Sequence, residues 1–126
     1  MRKNKYGVAP KEARTSRDGI VFASKAELLR WEKLRLWQLA GEIRNLRRQV
    51  KYDLVINGQS VGHYTPDFVY ERKPFAPGSV AYVDQTTPDL WTEVIEDVKG
   101  AMTKDAALRI KVFEVIHNKK VHIVRG

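Results

Sequence analysis

The 126-residue sequence predicts one α/β domain, a mixed sheet flanked by two helices in the order α-β-β-β-α-β. Three observations carry that reading. A capped amphipathic segment spans 24–41, β-rich runs separated by turn signals fill 50–99, and a second capped helical segment at 103–118 leads into a short closing strand. The length suits a single core, and 43% hydrophobic residues with three Trp, five Tyr and four Phe is a globular composition.

Residues 1–18 carry Arg2, Lys3, Lys5, Lys11, Arg14 and Arg17 against Glu12 and Asp18, with little to bury, and predict a flexible basic arm ahead of a domain over 19–126. The run GIVFAS leads into SKAELLRWEKLRLWQLAG, where Ser24 is a good N-cap, Glu27 holds the reciprocal capping-box position and Gly41 is a natural stop. Next, VKYDLVI (50–56) and VGHYTPDFVY (61–70) read as an antiparallel pair, because the Asn57-Gly58 dipeptide between them is a strong hairpin signal. Residues 71–90 contain Pro74, Pro77, Gly78 and Pro88, and at roughly twenty residues this connection exceeds the usual length, which points to a long loop, functional or mobile. WTEVIEDVK (91–99) reads as the third strand, TKDAALRIKVFEVIHN (103–118) as a helix capped by Thr103, and KVHIVR (120–125) as the last strand.

Lys and Arg outnumber Asp and Glu by 23 to 15, giving a net charge of +8, so a polyanion is the expected partner, nucleic acid first and an anionic membrane surface second. Without Cys the chemistry must use oxygen and nitrogen groups, and a reducing, cytoplasmic setting is compatible. No apolar run approaches the roughly 18 residues of a membrane span, and the N-terminus lacks an apolar signal core, so no membrane partner is expected.

The stretch VIEDVKG (94–100) places two acids and a lysine in an otherwise apolar strand. Alternation puts Asp97 and Lys99 on one face and Glu96 on the other. Alone, an Asp-x-Lys pair reads as an ordinary ion pair. Asp67, however, follows Pro66 within the preceding strand run, where Phe68, Val69 and Tyr70 continue the strand rather than a turn, so adjacent strands would bring Asp67 to Asp97. Two carboxylates together repel unless a proton or cation intervenes, and oxygen donors without Cys suit Mg2+, with Mn2+ as the alternative. Asp67, Asp97 and Lys99 then form a set suited to phosphodiester hydrolysis.

Asp67 in TPDFVY followed by Asp97-Val98-Lys99 resembles the PD-(D/E)XK motif of the restriction-endonuclease-like nuclease superfamily, and the element order is similar to that fold's core. DGIVFASKAELLRWEKLRLWQLAGEI, LRRQVKYDL, YTPDFVY, IEDVKG and TKDAALRIKVFEVIH together resemble a family of small phage-encoded proteins of that superfamily, over most of residues 18–117. The resemblance implies a Mg2+-dependent DNA endonuclease acting in phage DNA replication or recombination, extending to branched DNA such as Holliday junctions, in the host cell cytoplasm. It implies metal ligation by Glu27, Asp67 and Asp97, assistance from Lys99, and a supporting place for Gln49. A homodimer is expected by analogy, because two opposed strands need two sites.

Two readings stand at Glu27. A capping box would turn its carboxylate back to the Ser24 amide, whereas its stripe with Trp31 and Leu34 would turn it inward. Arg44, Arg47, Arg48 and Lys104 are the candidates for contacts to the DNA backbone. Trp31 and Trp37 read as core. His63 shares a strand face with Asp67 by spacing, but an exposed strand His is its default. The alternative to an enzyme is a non-catalytic basic nucleic-acid-binding module in which the acids form structural ion pairs. A membrane-surface protein is the weakest alternative, for want of a basic amphipathic helix.

Overall fold

The computed structural model describes residues 8–74 and 90–126. A 3-10 turn at Lys11–Arg14 precedes α1 (Lys25–Leu39), β1 (Ile43–Arg48), β2 (Tyr52–Ile56), β3 (Gln59–Tyr64), β4 (Phe68–Arg72), β5 (Thr92–Lys99), α2 (Lys104–His117) and β6 (Val121–Arg125). The main sheet has the order β1-β4-β5-β6, while β2 and β3 form a separate hairpin. β1 and β5 flank β4 antiparallel, and β6 runs parallel to β5 after the α2 crossover. The architecture is therefore mixed α/β with two helices, as the sequence predicts.

Local chemistry explains the helix ends. Ser24 Oγ accepts from the Glu27 amide at 3.1 Å, and Thr103 Oγ1 does the same for Ala106. At the other end of α1, Gly41 has φ 80°, and the Gly41 and Glu42 amides reach back to Gln38 and Trp37, a Schellman closure that glycine permits. The Asn57-Gly58 turn holds φ values of 52° and 77°, the left-handed pair that matches the twist of the hairpin it closes.

Two strand expectations need correction. The run expected as one strand over 61–70 is broken at Thr65-Pro66-Asp67, and its halves belong to different sheets. Pro66 has no amide to give a ladder, so pairing with β2 stops at Tyr64 and a new strand starts at Phe68. The strand that flanks β4 opposite β5 in the main sheet is β1, whose sequence IRNLRR reads as basic surface. Its alternation is disguised by a bulge, with the register slipping between Arg44 and Arg47 and Asn45 at φ 56°. The expected arm is also anchored over its described part: Arg14 donates to the carbonyls of Ala9 and Phe22, and Thr15 bridges Val21. Residues 1–7 and the greater part of the expected 71–90 loop lie outside the described residues.

The core divides by sheet face. Phe22, Leu28, Trp31, Leu34, Phe68, Tyr70 and Val94 pack under α1, with Trp31 stacked on Phe68 at 5.9 Å. On the other face Val69, Ile95, Ile110, Phe113 and Val121 pack under α2, and the hairpin adds Leu54 and Tyr64. Phe22, Phe68 and Phe113 are almost completely buried, each contributing about 2–3 kcal/mol by removal of apolar surface from water. Alternation along β4 and β5 thus assigns Tyr70, Val94 and Glu96 to the α1 side, and Val69, Ile95 and Asp97 to the α2 side. Among the described residues, no helix is long and apolar enough to cross a membrane.

Candidate active site

The register Phe68↔Glu96 sets Asp67, one residue before β4, level with Asp97 near the end of β5. Each aspartate then ties the other strand: the Asp67 amide donates to Asp97 Oδ1 at 3.1 Å, and the Val98 amide donates to Asp67 Oδ2 at 2.8 Å. These bonds replace the ladder that Pro66 interrupts. The Tyr64 hydroxyl, at the end of β3, donates to Asp97 Oδ2. Lys99, two residues on and on the same face, places Nζ 3.8 Å from that oxygen.

Glu27 comes from the first turn of α1. Its amide satisfies Ser24, while its carboxylate lies in the field of the Asp67 carboxyl and the Ala23 amide, both of which favour its charged form. Only half of the capping box forms, and the side chain is buried at 8% exposure. The inward reading at Glu27 is the one realised.

Three carboxyl groups therefore meet where two of them already touch. Burial, opposed by the Val98 amide and reinforced by the charges of Glu27 and Asp97, pushes Asp67 up to about 7. Burial also raises Glu27, with the Asp67 hydrogen bond and the Arg48 charge pulling the other way. Tyr64 is held well above its ordinary value, first by burial and then by its bond to Asp97. A shared proton is thus the cluster's own answer to its excess negative charge.

Among the described residues, no three His, Asp or Glu side chains are already gathered at coordination geometry. The donor chemistry nonetheless fits a hard divalent cation. The donors are carboxylate oxygens, each with a further lone pair, and the repulsion that joins burial in raising Asp67 and Glu27 is what a bound cation would relieve.

Other predicted residues divide sharply. Arg48 pairs with Phe68 in the sheet, lies 4.8 Å over the Phe22 ring, lowers Glu27 by its charge and buries Nε without an acceptor among the described residues. Gln49 follows it, exposed, in left-handed backbone at φ 62°. Arg44 is not at the site. It pairs with Glu71 at 2.9 Å and covers Trp91 at 4.3 Å, toward the far end of β4. Arg47 donates Nε to the Asn45 carbonyl across the bulge, and Lys104 is exposed in the first turn of α2, outside the lining of the acidic cleft. Glu96 faces α1, buried at 2% exposure, gripped by Arg30 through bonds of 2.9 and 2.7 Å and by the Tyr70 hydroxyl.

The acids open into a cleft of about 310 Å3, whose lining also includes His63, Thr65 and Arg109. Sequence reasoning missed Tyr64 and Arg109. Strand alternation separates Tyr64 from Asp67, and only the break at Pro66 unites them; Arg109 had a readable signal, since Ala106, Arg109 and Ile110 lie at helical spacing. A larger cavity of about 610 Å3 lies on the α1 face, but it is lined by none of Glu27, Asp67, Asp97 or Lys99. Convergent polar groups, not volume, select the smaller one.

Fold and site define a mixed α/β protein with a carboxylate cluster at the junction of two antiparallel strands. The chain belongs to the family described as Protein of unknown function (DUF1064), whose profile matches residues 3–126. No curated protein and no solved structure matches the chain.

Proposed function

We propose that this protein is a divalent-metal-dependent DNA endonuclease of the PD-(D/E)XK type. The observation that carries the reading is the convergence of Glu27, Asp67 and Asp97 from three elements, with Lys99 on the same strand face as Asp97. Support also comes from the main-sheet path α1-β1-β4-β5-α2-β6, which retraces the α-β-β-β-α-β order expected of a restriction-endonuclease-like core, with the β2–β3 hairpin as an insertion.

Glu27, Asp67 and Asp97 would hold Mg2+ or Mn2+. When bound, such a cation supplies a water of lowered pKa and a Lewis acid for the phosphoryl oxygen. The chain's own residues prepare the rest. The Asp67 amide and the Tyr64 hydroxyl fix the rotamer of Asp97, and the paired backbone of β4 and β5 holds both aspartates to one separation. Lys99 donates from beside Asp97 toward the attacking water or the negative charge that develops on the phosphate. Phage DNA replication or recombination, branched DNA, a homodimer and the host cytoplasm complete the reading.

Supercoiled, linear, single-stranded and four-way-junction DNA, each incubated with Mg2+, Mn2+ or EDTA, tests it. Cleavage should require metal and disappear in Asp97→Ala and Lys99→Ala. Binding to all of these substrates without metal-dependent cleavage would establish the non-catalytic basic module instead.

A further inference from the structure

The acidic cleft is lined by charges of both signs. Asp67 and Asp97 share it with Lys99, with Arg109 from α2, and with His63 and Thr65 from the end of β3 and the turn after it. Arg109 donates Nη1 to the His63 carbonyl at 3.3 Å, a bond that aims the guanidinium without neutralising it. Its situation contrasts with Arg30, Arg35 and Arg44, which are paired with Glu96, Asp18 and Glu71. Among the described residues, Arg109 has no carboxylate partner, and its remaining guanidinium hydrogens are left for an acceptor from outside the chain.

A strand of nucleic acid entering this cleft brings phosphates toward three acids, so attraction has to come from the cations that line it, Lys99 beside Asp97 and Arg109 on α2. We propose that Arg109 and the Thr65 hydroxyl form a phosphate subsite that holds the phosphodiester adjoining the one at the carboxylates. The proposal rests on the nuclease reading for its reacting phosphate, but the subsite itself is a binding claim. A guanidinium fork and a hydroxyl match the oxygens of a phosphodiester, which accept charge-assisted hydrogen bonds. The His63 carbonyl positions the fork, and α2, anchored through Ile110 and Phe113 in the core, makes its placement rigid. The site would read the backbone and not the bases, consistent with a role in register and orientation.

The test measures affinity for a labelled DNA duplex across a salt series in Mg2+, with the full chain, Arg109→Ala, Arg109→Lys and Arg44→Ala, all in an Asp97→Asn background. Arg109 is exposed on a helix, where Ala is well tolerated, so the variant should fold. Arg109→Ala should weaken binding about tenfold and lower the slope of log affinity against log salt by about one, Arg109→Lys should recover part of both, and Arg44→Ala should keep the parent slope. A neutral methylphosphonate placed singly at successive linkages should cost affinity at one position in the parent and nothing further there in Arg109→Ala. An unchanged slope in Arg109→Ala, or a methylphosphonate penalty that adds to it at every position, overturns the subsite. Cleavage by the native chain is scored separately: its absence with a lost Arg109 slope sinks the nuclease and keeps the subsite, and its presence with an intact slope does the reverse.

Discussion

Glu96 and Asp97 are neighbours in one strand and almost equally buried, at 2% and 3% exposure, yet their surroundings are opposite. Glu96 points under α1 into a bidentate pair with Arg30, capped by the Tyr70 hydroxyl, so its charge is matched and both of its oxygens are hydrogen-bonded. Asp97 points the other way, toward two further carboxyl groups, with Lys99 at the longer distance of 3.8 Å as the nearest cation in its own strand. Burial alone therefore does not mark a functional acid. An acid set among like charges, in a cluster where burial and repulsion push Asp67 and Glu27 toward the protonated form, is the better marker.

The comparison is broken most severely by exchanging effects between the two acids. Asp97→Asn should lower metal-dependent cleavage on the order of a thousandfold, about 4 kcal/mol in the barrier, while leaving the thermal melt near that of the native chain. Removing the partner of Glu96 should do the opposite. Arg30→Met leaves a buried carboxylate unpaired and should destabilise the fold by about 3 kcal/mol, read by urea unfolding, with kcat little changed per folded molecule. The double variant Arg30→Met/Glu96→Leu should recover most of that stability. Loss of cleavage without loss of stability after Arg30→Met would erase the distinction between the two faces.

A smaller effect follows from Asp67. Its value is raised from 3.8 to about 7, so between these values the folded chain binds more protons than the unfolded chain. Stability in EDTA should fall as pH rises from about 4 to 7 and then level off. Asp67→Asn removes that penalty and should melt higher than the native chain at pH 8, by about 2 kcal/mol once the water reaching the half-buried group is allowed for. The difference should vanish near pH 4, and Mg2+ should restore the native chain selectively at pH 8 through binding to the folded state. A native chain that gains stability with rising pH in EDTA would refute the repulsive cluster.

These contrasts also show what the sequence made legible. Both helices were readable because their caps and stops are local chemistry, and Glu96 could be separated from Asp97 because alternation is a local rule. β1 was not readable: its bulge at Asn45 hides the period, and Arg44, Arg47 and Arg48 mask two apolar positions, Ile43 and Leu46, that turn inward. Tyr64 belongs to the site only because Pro66 ends one sheet and Asp67 begins the approach to another, a nonlocal event. Motif resemblance placed Glu27 beside Asp67, whereas its own local signal pointed equally to a cap.

The smallest effect separates two arginines of β1 that the sequence could not tell apart. Arg44 and Glu71 are both partly exposed, at 41% and 25%, and such pairs contribute about 0–1 kcal/mol. Arg44→Ala should thus cost less than about 1 kcal/mol in urea unfolding, part of it from lost cover over Trp91, and should leave cleavage unchanged. Arg48, paired with Phe68 beside Asp67, offsets the charge of Glu27 and holds a buried Nε with no acceptor among the described residues. Arg48→Ala should therefore raise the apparent pKa of the cluster, seen as a shift of the EDTA stability profile to higher pH, which Arg44→Ala should not produce. Equal profiles for the two variants would place Arg48 among the solvated surface cations and remove it from the acidic site.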